Sequence, residues 1–293
     1  MIDIHRANHR PSLFNYLRDR VRVGIAAAIG DGPGSIEAGD DVGFAFVVGC
    51  GHSGTSLTAS RLGLHAACHL VDGETLAFSP SRTVWSCRRS VREWVHEART
   101  AGRSMIVEKT PKHVHSLARI RRLLPAARVI AVVRNPLDNV ASLKERYGSL
   151  TIAIERWDMD NSAVADAVSR GEALLLRYED LTASPEAAFR MVFSYLGLPW
   201  DPDVLTSGKS AYTDAKRMFR ARLDQVAQPI VQRTDRWRQV LDDREAAEVT
   251  ARTADTASRI GYPAGERQRH EPAVSAVTRP NAGGSSRPAT GID

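Results

Sequence analysis

A glycine-rich stretch, GCGHSGTS from Gly49 to Ser56, holds the first residues whose types and spacing could do chemistry. The run from Phe44 to Val48 before it is continuously apolar, as is typical of a strand buried on both faces of a parallel sheet. A helical pattern follows it. A strand, a glycine turn and a helix start direct several backbone N–H groups and the positive end of the helix dipole at one spot. We therefore predict a loop that binds a multiply charged anion such as a phosphate.

Two further groups of residues could bind an anion. Lys109 lies in the sequence EKTP at the end of a predicted strand, which is the ligand side of a parallel sheet. Arg134 ends the most apolar predicted strand, and Ser142 and Arg146 share a face of the helix after it. An Arg fork and helix amides together suit a phosphomonoester. Each group also has an ordinary explanation, because surface lysines are common and Arg146 could simply cover apolar surface.

Two known kinds of loop resemble the glycine stretch incompletely. Gly49 and Gly54 have the spacing of a P-loop, but Thr55 and Ser56 stand where that motif requires Lys and then Ser or Thr, which disfavours a nucleoside kinase. A hydrolase nucleophile elbow with Ser53 as nucleophile is the stronger alternative. Against it, Thr55 replaces the second glycine, and little chain precedes Ser53 to supply the early strands of that fold. The only histidine after His115 is His270.

Composition excludes several classes of protein. The 293 residues are 43% hydrophobic, 25% charged and 6% aromatic, as in an ordinary globular protein, and the net charge is +6. Basic residues are spread along the chain without interleaved aromatic residues, so we expect no nucleic-acid partner. The three cysteines lack the spacing of a disulfide frame or a zinc site. No signal peptide or membrane span is evident, and we expect a cytoplasmic protein.

Strand and helix patterns alternate along the chain, which predicts an α/β fold. The predicted strands span residues 44–48, 68–71, 105–109, 128–133 and 173–176. Helices are predicted at 11–28, after Gly54, at 83–100, over Val114 to Leu124, from the Asn135 cap to Tyr147, from the Ser184 cap to Gly197, at 233–241 and at 245–260. Such alternation indicates a central parallel sheet flanked by helices, a P-loop-like three-layer sandwich.

Three regions follow from this pattern. Residues 1–40 are predicted to be an N-terminal helical extension with a loop, residues 41–263 the main domain, and residues 264–293 a disordered tail. The tail prediction rests on its content of Pro, Gly, Ser, Arg and Ala.

The motifs taken together resemble a known family. GHSGTS after a strand, EKTP some fifty residues later, and then RNPLDNVASLKER and LRYEDL resemble the sulfotransferases that use 3′-phosphoadenosine-5′-phosphosulfate (PAPS), closest to the carbohydrate and tyrosylprotein branches. The resemblance covers roughly residues 44–200 well, and residues 230–262 more loosely. It implies transfer of a sulfuryl group from PAPS to a hydroxyl or amine acceptor, without a metal. A nucleotide-binding module that has lost catalysis stays an alternative.

The resemblance also implies which residues bind the donor. The loop would hold the 5′-phosphosulfate, with Cys50, Gly51, His52, Ser53, Gly54, Thr55 and Ser56. The 3′-phosphate would be bound by Arg134, Ser142 and Arg146. Tyr178 would lie near the adenine or the phosphates, and a late segment with Thr234, Arg236 and Trp237 would close over the nucleotide.

The catalytic roles come from the same resemblance. Lys109 falls where the family places a Lys on the bridging oxygen, and Glu74, 22 residues after His52, falls where the tyrosylprotein branch has its general base. His113 is a second-choice base. The family often has Lys or Arg where this chain has His52. If His52 binds the phosphosulfate as a cation, activity should fall as the pH rises through its pKa.

The acceptor is not determined by these motifs. A small molecule or a glycan, free or lipid-linked, fits the resemblance, and the oligomeric state, including a homo-oligomer, is left open. Residues 76–100 could form an acceptor wall, because aromatic and Arg side chains suit sugars, phenols and anionic lipids. Its members would be Trp85, Arg88, Arg89, Arg92 and Trp94. A helix that packs Trp94 into the core explains the same residues.

Overall fold

The sheet of the computed structural model has five parallel strands in the order β2-β3-β1-β4-β5. The structure describes residues 34–36, 39–206, 208–212 and 228–262, so the predicted helix at 11–28 and the predicted tail lie outside the described residues. The strands are β1 (Gly43–Gly49), β2 (Cys68–Leu70), β3 (Met105–Lys109), β4 (Arg128–Val133) and β5 (Leu174–Arg177). All five coincide closely with predicted strands.

Helices connect and cover the strands. They are α1 (Thr55–Gly63), α2 (Val84–Thr100), α3 (Leu117–Leu123), α4 (Pro136–Tyr147), α5 (Leu150–Ser169), α6 (Tyr178–Ala183), α7 (Pro185–Leu196) and α8 (Asp243–Arg259). Short 3₁₀ helices span Pro111–Ser116, Pro202–Leu205 and Arg236–Gln239.

The two faces of the sheet are buried in two separate hydrophobic clusters. Alternate side chains of β1 point to opposite sides, so Phe46 joins one cluster and Val47 the other. The first cluster contains core residues of α2, α3, α4, α5 and α8. The second contains those of α1 and α7. Helices therefore cover both faces of a parallel sheet, and the predicted three-layer α/β sandwich is confirmed.

Local sequence signals set several helix ends. Asn135 caps α4 by accepting a hydrogen bond from the Leu137 amide, Pro136 is its first residue, and Gly148 ends it with a φ of 71°. Gly197 ends α7 in the same left-handed conformation, with a φ of 70°. These boundaries agree with the prediction.

Three helical segments differ from the sequence expectation. The pattern at 148–172 did not predict α5, which is 20 residues long. The single helix expected over Val114 to Leu124 is divided into the 3₁₀ helix Pro111–Ser116 and α3. The expected helix at 233–241 is only the 3₁₀ turn Arg236–Gln239.

The strand order places the ends of β1, β3 and β4 side by side. Val47 pairs with Lys109 on β3, and Gly49 pairs with Val132 on β4. The chain leaves β1 toward β2 and leaves β4 toward β5, so the connections diverge between β1 and β4. Such a point of divergence at the carboxyl ends is where open α/β sheets bind ligands. The glycine loop, Lys109 and Arg134 all lie there.

Candidate active site

The loop after β1 has a backbone that constrains its residue types. Gly49 has a φ of 141°, and a Cβ atom there would lie 2.2 Å from the Val132 carbonyl oxygen. His52 adopts a φ of 67°, which is uncommon for a residue with a side chain. Local strain of this kind is frequent at ligand-binding loops.

Ser53 and Cys50 fix this loop to the sheet. The Ser53 side chain is fully buried, and its hydroxyl lies 2.7 Å from the Cys50 carbonyl oxygen and 2.9 Å from that of Val132. Cys50 is also buried, and burial, reinforced by Asp160, raises the pKa of its thiol well above the usual range. If these two residues contact a ligand, they do so through the backbone.

The start of α1 supplies amide donors. The first amides of any α-helix lack a partner within the helix, and Gly54, at the N-cap, provides no side-chain cap. Gly54 has a φ of 103°, and a Cβ atom there would lie 2.7 Å from Cδ2 of Tyr178. The ring of Tyr178 therefore packs directly against the N-terminus of α1.

Arg134 reaches the same place from the end of β4. Its Nη1 donates to the His52 carbonyl oxygen at 3.4 Å, and its guanidinium carbon lies 4.6 Å from the centroid of the Tyr178 ring. Nη2 donates to the carbonyl oxygen of Arg233 at 2.5 Å. The buried Nε has no acceptor among the described residues. Arg134, one of the three residues predicted to bind the 3′-phosphate, is thus in direct contact with the loop predicted to bind the phosphosulfate.

The other two residues predicted to bind the 3′-phosphate, Ser142 and Arg146, differ in how they relate to the loop. Ser142 Oγ lies 2.8 Å from Nδ1 of His52, which joins α4 to the loop. Arg146 lies one turn further along α4 and is exposed. Among the described residues, no hydrogen bond joins Arg146 to the loop.

The late segment lies against the first turn of α4. Asp138 accepts hydrogen bonds from the amides of Asp235 at 3.1 Å and Trp237 at 3.2 Å. Burial raises the pKa of Asp138, although Arg134 and the two amides act in the opposite direction. Among the predicted residues there, Trp237 packs on the core, Thr234 is half-buried, and Arg236 forms an exposed ion pair with Glu145.

The two predicted catalytic residues meet at the end of β3. Lys109 Nζ donates to Oε1 of Glu74 at 2.9 Å. The Lys109 side chain is 1% exposed, whereas that of Glu74 is 31% exposed. A buried cation and a solvent-accessible carboxylate therefore form one ion pair at the end of β3.

Glu108 and Thr110 hold the loop that carries Glu74. One Glu108 oxygen accepts hydrogen bonds from the hydroxyls of Thr75 at 2.8 Å and Thr110 at 2.6 Å. Thr110 Oγ1 in turn accepts from the Thr75 amide at 3.0 Å. Burial alone would raise the pKa of Glu108, but His113 and these hydroxyls outweigh it and lower the pKa.

His113 has both ring nitrogens engaged in the core. Nε2 accepts a hydrogen bond from the Phe78 amide at 3.2 Å, so Nδ1 carries the proton and donates to Glu108 Oε2 at 3.0 Å. The residue is 1% exposed and packs against the rings of Phe46 and Phe78. A general base must offer a lone pair to the acceptor. The geometry argues against the second-choice base and gives His113 a structural role.

Tyr212 is a site residue that the sequence analysis missed. Lys109 Nζ lies 6.0 Å from the centroid of its ring. Burial raises the pKa of its phenol far above the usual range, and the carboxylates of Glu74, Glu108 and Asp72 reinforce this effect. No motif surrounds Tyr212, so only the fold reveals its position.

The expected acceptor wall on α2 is divided. Trp94 packs in the core and is 6% exposed, whereas Trp85 is 69% exposed. Arg88 donates to the Gly34 carbonyl oxygen, and Arg89 pairs with Glu93. Trp94 therefore has the structural role, and only part of the helix could face an acceptor.

The described residues contain no group of three or more His, Cys, Asp or Glu side chains placed to hold a metal ion. No described helix combines the length and apolar character that crossing a bilayer requires.

Comparisons with known proteins agree with the fold. Residues 77–202 match the model of a sulfotransferase family. The structure resembles the sulfotransferase domain of the olefin synthase of Synechococcus PCC 7002, with a TM-score of 0.54 and 19% identity, over 78% of this chain and 99% of that domain. It also resembles the sulfotransferase domain of the curacin biosynthetic pathway, with a TM-score of 0.51 and 16% identity, over 75% and 98%. The fold is the sulfotransferase fold.

A curated relative gives a more specific likeness. The chain is 25% identical over 200 residues to protein-tyrosine sulfotransferase A of Caenorhabditis elegans, a match to 55% of this chain and 52% of that protein. The chain thus spans about half the length of the curated relative that it matches. The chain is therefore similar to sulfotransferases over part of its sequence and in its fold.

Proposed function

We propose that this protein transfers a sulfuryl group from PAPS to a hydroxyl or amine acceptor. One observation carries the proposal: the side chain that would bind the 3′-phosphate, Arg134, contacts the loop that would bind the 5′-phosphosulfate, at the His52 carbonyl oxygen. One nucleotide with phosphates at both ends can therefore engage both groups at once.

The residues present fit such a donor. The start of α1 offers amides to the 5′ end, and Lys109 ends β3, the strand that pairs with β1 before this loop. Arg134 retains a buried Nε without an acceptor among the described residues, and such a donor favours an anionic oxygen. The Tyr178 ring, between Gly54 and Arg134, offers a flat surface near the nucleotide.

The chemistry follows from charge. In an in-line transfer the acceptor oxygen forms a bond to sulfur while the bond from sulfur to the bridging oxygen breaks. Glu74 takes the acceptor proton, and Lys109 donates to the bridging oxygen, where the negative charge of the leaving nucleotide develops. The partly exposed Glu74 can meet an acceptor from solvent, and the buried Lys109 can meet the donor.

The ion pair also explains how the protein tolerates both charges when no substrate is bound. Before the donor binds, the charges of Lys109 and Glu74 stabilise each other at 2.9 Å. A bound phosphosulfate competes for the ammonium group, and this competition leaves the carboxylate available to the acceptor. A buried lysine without such a partner would be costly.

The alternatives receive less support. As a hydrolase nucleophile, Ser53 would need an accessible hydroxyl next to a base, but its hydroxyl is buried against two carbonyl oxygens. The nearby His52 directs Nδ1 at Ser142 instead. A purely binding module would have no use for a base and a cation at the end of β3.

The acceptor and the location extend the proposal. Since the curated relative is described as a protein-tyrosine sulfotransferase, a phenolic hydroxyl is the first acceptor to examine. Sugars and lipid-linked alcohols are the next classes. We also propose a cytoplasmic location, which the three free, buried cysteines favour because free thiols are typical of a reducing compartment.

Transfer of labelled sulfate tests the proposal. The purified protein would be incubated with ³⁵S-labelled PAPS and, separately, a tyrosine-containing peptide, a simple phenol, an oligosaccharide and an amine. We expect labelled product with at least one acceptor, and no product from a Lys109→Ala variant. If calorimetry detects no binding of PAPS or of its product 3′-phosphoadenosine-5′-phosphate (PAP), the proposal is wrong.

A further inference from the structure

Tyr212 is held at the site by a short segment that packs on α1. The hydroxyl of Ser60 in α1 lies 3.1 Å from Ser210 Oγ and accepts from the Ala211 amide at 3.4 Å. The Tyr212 amide donates to Ser210 Oγ at 3.2 Å. The fold therefore positions the Tyr212 side chain from the helix whose N-terminus forms the predicted anion site.

The phenol of Tyr212 lies among the residues that would perform the reaction. Its ring faces the Lys109 ammonium at 6.0 Å, and its hydroxyl lies within the field of Glu74 and beside the hydroxyl of Ser56. The hydroxyl oxygen is buried, yet it makes no hydrogen bond of ordinary geometry with any residue that the structure describes. A buried hydroxyl without a good partner is costly, so such a group usually serves a ligand.

We propose that Tyr212 is a further catalytic residue, whose phenol donates a hydrogen bond to a non-bridging oxygen of the sulfuryl group in transfer. This inference rests on the proposed function. Ser56 lies on the donor side, and Glu74 lies on the acceptor side. A hydroxyl between these two residues is located where the sulfuryl group passes from one oxygen to the other.

The environment makes the phenol a donor. Surrounding carboxylates and burial keep it protonated, since they raise its pKa far above the usual range. It therefore takes no proton from the acceptor, and that role remains with Glu74. During transfer the O–S bond to the acceptor forms and the bridging bond breaks, while the Tyr212 proton stays on its own oxygen.

A comparison of two nucleotides tests the assignment. PAPS carries the sulfuryl group and PAP lacks it, so calorimetry with both separates a contact to this group from a contact to the nucleotide. For Tyr212→Phe we expect affinity for PAPS to fall roughly 10- to 100-fold, with affinity for PAP within about twofold of wild type. Turnover with the best acceptor should fall at least as much.

Tyr195→Phe is the matched control. Tyr195 packs on the same side of the sheet, its hydroxyl accepts from the Val129 amide, and its substitution should change neither nucleotide's affinity. Unchanged PAPS affinity and turnover in Tyr212→Phe would overturn the inference, as would equal losses for PAPS and PAP. If wild-type protein binds neither nucleotide, the proposed function itself fails, which is a distinguishable result.

Discussion

The contact between Lys109 and Glu74 joins two residues that stabilise each other and to which the proposed function gives opposite tasks. Lys109 is buried at the end of β3, and Glu74 faces solvent from a loop that Thr75 anchors to Glu108. Because one side chain is buried and the other is partly exposed, Lys109 could contact the donor while Glu74 contacts the acceptor. Under the proposed function, the base and the leaving-group cation would therefore be assembled before either substrate arrives.

Replacement of Glu74 by Gln tests the base assignment. The amide cannot take the acceptor proton, so kcat should fall about 100- to 10,000-fold. Affinity for PAP should be equal or tighter, since the neutral side chain no longer competes as an anion for Lys109. Steady-state assays with labelled PAPS and calorimetry with PAP measure both quantities.

Glu186→Gln provides the control for that experiment. Glu186 forms an exposed ion pair with Arg190 on α7, and its loss should leave both quantities unchanged. A Glu74→Gln enzyme with kcat within threefold of wild type would show that the base is another group.

Sequence reasoning located some of these residues and not others. Glu74, Lys109 and Arg134 were predicted because short motifs with characteristic neighbours surround them. Tyr212 has no such signal, since its position depends on contacts with a distant part of the chain. Asp138 lies inside the quoted motif RNPLDNVASLKER, but its contact with the late segment joins residues more than 90 positions apart, which the motif does not reveal. His113 was considered as a base because it lies close after the EKTP motif. Its burial depends on Phe46 and Phe78 from other elements, which the motif does not reveal.

At the scale of elements, α4 organises the proposed nucleotide end of the candidate site. Its first turn holds the late segment through Asp138, and its second presents Ser142 to His52. Arg134, immediately before α4, donates to the Arg233 carbonyl oxygen of the same late segment. The late segment therefore reaches the candidate nucleotide site through contacts with both α4 and Arg134.

An Asp138→Asn substitution should loosen this arrangement. An Asn side chain offers one acceptor oxygen where two backbone amides require acceptors, so one amide loses its partner. Because the late segment also contacts Arg134, PAP affinity should fall about tenfold, by calorimetry. Glu145→Gln, which breaks the exposed ion pair to Arg236, should have little effect. Equal affinities for both variants would show that the late segment does not support the site.

The helices differ in how well the sequence predicts them. Helix α4 was predicted with both of its ends, because Asn135 and Pro136 mark its start and the helical pattern stops near Tyr147. Helix α5 was missed although Ser149 caps it, because its buried positions include the polar residues Arg156 and Asp160 as well as apolar ones. Arg156 Nε donates to Asp160 at 2.6 Å inside the core. Buried polar pairs of this kind hide the apolar stripe on which helix prediction depends.

At the scale of the whole molecule, the strand order brings distant motifs together. The sequence predicted five strands and their parallel arrangement, since helices separate them. It did not determine the order, which depends on packing between elements far apart in the chain. Only with β3 and β4 on either side of β1 do Lys109 and Arg134 flank the glycine loop.

The same network that positions the site contributes to global stability. Glu108 has a lowered pKa because of His113 and its hydroxyl partners, so it stabilises the fold at pH values above its unfolded pKa of about 4.5. We expect Glu108→Gln to reduce the free energy of unfolding at pH 7 by about 3 kcal/mol, from urea denaturation. The difference should shrink as the pH falls below 4.5 and vanish below the folded pKa. A difference that is constant with pH would contradict this explanation.

The central claim is that the glycine loop and Arg134 bind opposite ends of one doubly phosphorylated nucleotide. Calorimetric titration of wild type and Arg134→Ala with PAP and with adenosine 5′-monophosphate, which lacks the 3′-phosphate, tests it most directly. We expect wild type to prefer PAP at least tenfold, and Arg134→Ala to lose about 10- to 150-fold in PAP affinity and most of the preference. Equal wild-type affinity for the two nucleotides, or a preference that survives in Arg134→Ala, would contradict the account.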